Sequence, residues 1–356
     1  MSYAERREHL SRLEEERGSR LLCYWLSDRP SFPPIPGCNP TLATEPHLIF
    51  VDHLREIGKV EKLDVVLYTR GGDTNSVWPL INLLREFSEH LTVVVPFRAH
   101  SGGTLICLGA DELILTEIAE LSPIDPTTGN QFNPSDPKNP DKRFGISVED
   151  VSAFFDLAEK RAKAESADHR VGVLGELTKN VHPLALGNVQ RVHLQIRQLA
   201  ENLLKLHLDP EDATIKRIVE ALTKEFYSHV HAISRQEAST LMGEWVRFPT
   251  EEESIIIWEI FDAYADFFQL NEKYILAEEM GDEPVKEINV LGGAIESTVK
   301  SHLYTTPIKV GQRPNLPPNV QVQVPPGQPI PLGPWPSRLY DFGIFGGCWR
   351  ENEEGV

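Results

Sequence analysis

Apolar positions first gather at Leu21 to Leu26 (LLCYWL), an uninterrupted run too short for a helix and read as a buried strand. Ahead of it, residues 4 to 20 carry Glu and Arg at helical spacing with few apolar anchors, the pattern of an exposed leading helix or partner-contacting arm. The Pro-rich stretch Pro30 to Pro40 reads as a loop, and His47 to Ile57 as a helix. Leu63 to Tyr68 (LDVVLY) is β-branched and apolar, and it runs straight into Thr69-Arg70-Gly71-Gly72. A strand that ends at a double glycine leaves backbone amides open. The alternation then repeats, with a helix over Val77 to Phe87, a strand over Leu91 to Pro96, a turn at Ala99 to Gly103, an apolar helix through Leu108 and a strand over Glu112 to Leu115. Strands and helices alternating at this spacing predict an α/β fold, a core of βαβ units with a largely parallel sheet.

Residues 127 to 145 are rich in Pro, Asn, Asp and Gly and read as a long surface loop able to cover a site. From Ser147 onward the pattern is helical, with helices expected over Val148 to Ala167, Gly187 to Leu206, Pro210 to Phe226 and Glu251 to Ala277. Ten of the 27 prolines fall between Pro307 and Pro336, so the end of the chain reads as an extended, largely unstructured tail with Trp335, Phe342, Phe345 and Trp349 free to dock. The expected plan is a helical arm (1–20), an α/β core (21–145), a mostly helical extension that completes the core and supplies oligomer contacts (146–302), and a disordered Pro-rich tail (303–356). No internal repeat is present.

Charge narrows the partners. The 356 residues carry 53 acidic against 35 basic side chains, a net charge of -18, with no Lys/Arg-rich run. Nucleic-acid phosphates and anionic lipid are therefore poor partners. Cys23, Cys38, Cys107 and Cys348 are widely spread with no CxxC spacing, which fits a reducing cytosol better than a disulfide scaffold or a zinc ribbon. The N-terminus is charged from its fifth residue and offers no signal-peptide core, and no run of about 18 apolar residues follows, so a cytoplasmic protein without a membrane span is expected.

The glycine turns carry the candidate chemistry. Gly71-Gly72 and Ser101-Gly102-Gly103 each follow a strand and open a helix, which puts both at the carboxyl edge of a parallel sheet, where open α/β sheets bind ligands. A serine at a helix start, with amides of its own turn and of a neighbouring glycine turn beside it, suits acyl transfer. Ser101 would attack a carbonyl, and the amides of Gly72 (or Gly71) and Gly102 would hold the oxyanion. The same residues also fit two tight turns with Ser101 as a simple helix cap.

The text LDVVLYTRGGDTNS, then VVVPFRAHSGGTLICLGADELIL, then LSPIDP resembles the core of the ClpP/SppA-type serine peptidases of the Clp-crotonase superfamily. Within it, the chain is most similar to the serine dehydrogenase proteinase family, related to signal peptide peptidase A. The close resemblance covers residues 63 to 126, and a looser one runs through HPLALGNVQR and HVHAISRQEA. It implies Ser101 as nucleophile, Gly72 and Gly102 as oxyanion donors, a peptide or unfolded protein segment as substrate, no cofactor, and a homo-oligomer.

The general base departs from the ClpP pattern, because Leu121 to Pro126 contains no histidine where ClpP-type enzymes have one. The resemblance points instead to the Ser-Lys dyad of the SppA branch. A lysine deprotonates serine near neutral pH only when burial brings its pKa well below about 10.4. Of Lys138, Lys142, Lys160 and Lys163, Lys142 is the candidate by its separation from Ser101. His229 and His231 are the rival bases, or a metal site, ahead of a helix capped by Ser234 and Glu237. No HExxH pair and no GxGxxG or Walker spacing occurs, so a zincin or a nucleotide enzyme is unsupported, and no metal is expected. Three readings follow. The chain is a serine peptidase, a noncatalytic scaffold or binding module on the same fold, or a crotonase-like acyl-thioester enzyme, which needs no nucleophile at the helix start.

Overall fold

Buried side chains recur at residues 3, 6, 10 and 13 of the first helix, α1 (Tyr3–Arg17), so the leading segment is packed rather than exposed. This corrects the expected solvated arm. Its inward face includes an arginine, Arg6, which the pattern of apolar residues alone conceals, and its start is fixed by a capping box between Ser2 and Glu5. The computed structural model describes residues 1–30, 40–124, 127–162, 166–226, 231–316, 325 and 337–352.

After α1 come β1 (Arg20–Leu26), α2 (His47–Ile57) and β2 (Val60–Tyr68). A 3-10 turn at Thr74–Ser76 leads into α3 (Val77–Phe87), followed by β3 (Ser88–Val95), β4 (Arg98–Ala99), α4 (Gly102–Leu108), β5 (Glu112–Leu115) and β6 (Glu120–Leu121). The expected surface loop holds four short strands, β7 (Thr127–Thr128), β8 (Ser135–Asp136), β9 (Asn139–Arg143) and β10 (Ile146–Ser147). The helical stretch comprises α5 (Val148–Ala162), α6 (Ala167–Asn180), α7 (Pro183–Leu204) and α8 (Ala213–Glu220), which runs into a π turn at Ala221–Glu225. Then come β11 (Ile233–Ser234), α9 (Arg235–Met242), β12 (Val246–Arg247), α10 (Glu251–Phe267) and α11 (Leu276–Met280). The chain closes with β13 (Val285–Ser297), β14 (Ser301–Pro314), β15 (Arg338–Ile344) and β16 (Cys348–Glu351).

Two compact units divide these elements. One comprises residues 1–70, 86–89 and 249–356, the other residues 71–85 and 90–248. These divisions differ from the linear plan of arm, core, extension and tail, because strands far apart in sequence pair with one another. In the first unit β1 is parallel to β2, with Trp25 beside Tyr68, and antiparallel to β13, with Leu22 beside Ser297. Every residue from Leu21 to Leu26 is buried, as a strand covered on both faces requires. Trp25 stacks between Tyr68 at 4.4 Å and Tyr264 at 4.9 Å. Arg6 pairs with the buried Glu296 at 2.9 and 2.6 Å, and Tyr264 and Ser301 donate to the same carboxylate, each at 2.6 Å.

The reading of residues past Ser147 as helical fails at β13 and β14, strands of 13 and 14 residues that form an antiparallel hairpin. The tail is likewise not unstructured throughout, since β15 and β16 both pair antiparallel with β14 and Trp349 packs on Tyr304 at 5.5 Å. Prolines thin out where these strands form. Residues 338–351 contain none, and Pro307 sits on β14 between the segment that β15 covers and the segment that β16 covers, where a missing amide costs the ladder little. The expected helix to Ala277 stops at Phe267, and Gln269 follows with φ +53.

In the second unit β3, β5 and β12 form a parallel set, with Val93 beside Leu113 and Leu113 beside Val246. A smaller sheet runs β4-β6-β11, parallel between β4 and β6 and antiparallel between β6 and β11. Helix α4 is buried along its whole length, as its apolar sequence demands.

Candidate active site

Helix α4 is entered through a backbone that side chains rarely adopt. Ser101 has φ +50 and ψ -110, and although it stands at the cap position its hydroxyl makes no capping bond. The simple cap reading therefore loses its support. Neighbouring bonds hold the turn. The Ser101 amide donates to Ser122 Oγ at 2.7 Å, Gly103 N donates to His100 O at 2.7 Å, and Leu105 N donates to Ser101 O at 3.1 Å. Ser122 Oγ has its own acceptor in Pro123 O at 3.0 Å, which leaves a lone pair for the Ser101 amide. Thr104 Oγ1 lies 2.8 Å from Ala99 O and 2.9 Å from Ser122 O, and it accepts from Ser122 N at 3.1 Å. Ser122 and Thr104 thus position Ser101. Sequence reasoning missed both, and the one signal available was a pair of hydroxyl residues inside otherwise apolar segments.

The first glycine turn packs directly against this one. Gly71 is buried with φ +98, and a Cβ built on it would stand 2.8 Å from His100 O, 2.8 Å from Ser101 Cβ and 3.3 Å from Gly102 N. Only glycine fits that backbone and that space. The exposed Gly72 follows, and Gly102 is the first residue of α4, where the amide has no partner within the helix. Gly71, Ser101 and the Gly102 amide are therefore brought together, with Gly72 next to Gly71 in the chain.

The candidate bases are placed differently. Lys142 lies exposed on β9, in a two-stranded hairpin where Ser135 is opposite Arg143. Lys138 is also exposed there, and Lys160 pairs with Asp156 at 2.7 Å on the outside of α5. His229, Lys163, Asp125 and Cys38 lie outside the described residues. His231 stacks on Phe226 at 4.7 Å, with its Nε2 3.4 Å from Glu237 Oε1. Ala99, Leu121 and Ile233 stand in one row across β4-β6-β11; Ser101 follows Ala99 by two residues, and His231 precedes Ile233 on the oppositely directed β11 by two. His100 is turned aside, its Nε2 3.1 Å from Glu120. Among the described residues, no lysine or histidine hydrogen-bonds Ser101 Oγ, and no group of three His, Cys, Asp or Glu side chains is spaced to hold a metal ion. Among them, too, no helix is long and apolar enough to cross a membrane.

Comparison with known proteins places the same segment. Residues 2–177 match the family described as ClpP-like SDH-type serine proteinase. An uncharacterized protein of Methanocaldococcus jannaschii, MJ0137, is 27% identical over 208 residues, 58% of this chain and 61% of its own length. A second from the same organism, the uncharacterized protein MJ1495, is 32% identical over 102 residues, 28% of this chain and 35% of its own. The chain thus spans less than two thirds of each of these curated relatives. The segment that matches the ClpP-like SDH-type serine proteinases, residues 2–177, thus holds both glycine turns and Ser101.

Proposed function

We propose that this chain is a serine peptidase that cleaves peptide bonds through an acyl-enzyme on Ser101. The observation that carries the reading is the Ser101 backbone at φ +50, which keeps the hydroxyl out of helix capping while the Gly71-Gly72 turn presses against it. In the first step Ser101 Oγ bonds to the scissile carbonyl carbon and its proton passes to the base. The oxyanion is held by the Gly72 and Gly102 amides. The carbon–nitrogen bond then breaks, the leaving amine takes the proton, and water releases the acyl group by the same steps in reverse order. The substrate is an unfolded or membrane-released peptide segment laid beside the glycine turns as an added strand.

A Ser-Lys dyad with Lys142 is the first reading of the base. Lys142 is exposed on its hairpin, so the reading requires bound substrate or a second copy to cover the amine, because only a dehydrated lysine gives up its proton near neutral pH. The second reading is an imidazole from His229 or His231, and for His231 its place two residues ahead of β11 supports it. The proposed setting is cytoplasmic and homo-oligomeric.

The test is labelling by a fluorophosphonate probe together with hydrolysis of an unfolded protein substrate. Wild type should react and Ser101→Ala should not, while circular dichroism stays unchanged. A chain that neither labels nor hydrolyses is the noncatalytic scaffold. Lys142→Arg should lower turnover by about three orders of magnitude under the dyad reading, since arginine stays charged. Normal turnover there, with a dead His229→Ala or His231→Ala, assigns the proton to the imidazole.

A further inference from the structure

Among the exposed side chains of helix α5, Asp150, Phe154, Leu157 and Arg161 stand at spacings of four, three and four. Residues at those spacings lie on a single face of a helix. Phe154 is 37% and Leu157 58% exposed, a large apolar pair left in solvent near the middle of the helix. A neighbouring face is already used, because α6 leans on α5 through an Arg170–Glu159 ion pair at 2.7 Å.

The order of residues along the stripe is palindromic in chemistry. Asp150 and Arg161 are equally far from the point between residues 155 and 156, and so are Phe154 and Leu157. At about 1.5 Å per residue these distances are roughly 8 Å and 2 Å along the axis. We infer that this face of α5 docks on α5 of a second copy of this chain, antiparallel and across a twofold axis at residues 155–156. In that arrangement Phe154 meets the partner's Leu157 and Leu157 meets the partner's Phe154. Asp150 meets the partner's Arg161 at one end, and the same pair recurs at the other. An isologous contact demands this self-complementarity, whereas a face meant for an unrelated partner does not. Turning the second helix parallel would set Asp150 against the partner's Asp150 and Arg161 against the partner's Arg161, so the charges also select the direction.

The inference does not depend on the peptidase reading, and its test reads mass rather than activity. Sedimentation velocity of the full chain, from micromolar concentration downward, should show a species at a multiple of the 40.1 kDa protomer. Asp150→Arg puts arginine opposite arginine, and Arg161→Asp puts aspartate opposite aspartate. Each should weaken the twofold association by about tenfold or more. The double variant Asp150→Arg/Arg161→Asp recreates the pairs with signs exchanged and should recover the wild-type association to within about threefold. Leu157→Lys should abolish the contact while its melting curve stays that of a folded protein, since the side chain is exposed. A monomeric wild type, single reversals without effect, or a double variant no better than the singles overturns the inference.

Discussion

At the scale of the residue, Gly71 constrains the site more tightly than the serine it supports. Its φ of +98 and the 2.8 Å distances to His100 O and Ser101 Cβ leave no room for a methyl group. Both contacts involve a turn that is itself pinned by Ser122 and Thr104, so neither can give way cheaply. Gly71→Ala is therefore expected to displace the Ser101 turn and to cost about 2 kcal/mol or more of stability, as strain at a special backbone position does. Urea unfolding and fluorophosphonate labelling measured on one sample should show both losses together. The glycine pair and the serine were legible in the sequence because each belongs to a local strand-turn-helix pattern. Ser122 and Thr104 were not, because their value lies in the pairing of β4 with β6, which joins segments some twenty residues apart.

At the scale of the element, the β13–β14 hairpin shows why helical text can conceal strands. Its sequence EINVLGGAIES carries two glycines, and Gly293 lies so close to β1 that a Cβ would stand 3.0 Å from Trp25 O. That glycine serves a partner strand at the other end of the chain, which no local window reveals. Near the hairpin turn, Ser297 Oγ lies 2.8 Å from Nδ1 of the buried His53 on α2, and His53 Nε2 lies 3.0 Å from His302 Nδ1. Lys300 and Asp52 close the cluster with an ion pair at 2.7 Å. Burial first, and the neighbouring His302 second, push the His53 pKa down to about 3. His302 is lowered as well, chiefly by burial. Both imidazoles are thus neutral when folded and take up protons more readily when unfolded. Stability from His53 is complete above the unfolded value of about 6.5 and is lost as pH falls toward about 3, at up to about 1.4 kcal/mol per pH unit, and His302 shifts in the same direction. Between pH 6.5 and about 4.5 the window lies above the ordinary carboxylate range. Urea midpoints there should fall with acid in wild type, and the slope should be shallower by one proton in His53→Gln.

At the scale of the whole molecule, the first unit is assembled from both ends of the chain, since β1 near the start pairs with β13 near the end. The sequence announced the alternating strands and helices but not this closure, because the pairing of Leu22 with Ser297 carries no mark in either segment alone. Its outer layer is β15 and β16, the two short strands laid along β14 beyond the proline-dense stretch. Trimming the chain after residue 316 looks harmless from composition, yet it would strip those strands and leave the fourteen residues of β14 with a free row of amides and carbonyls. An open edge of that length is a template for another chain's backbone. The trimmed protein should turn cloudy on standing at concentrations where the full chain stays clear, and light scattering should rise with time without any change in the labelling of Ser101. In that role the closing strands are a guard against runaway polymerisation.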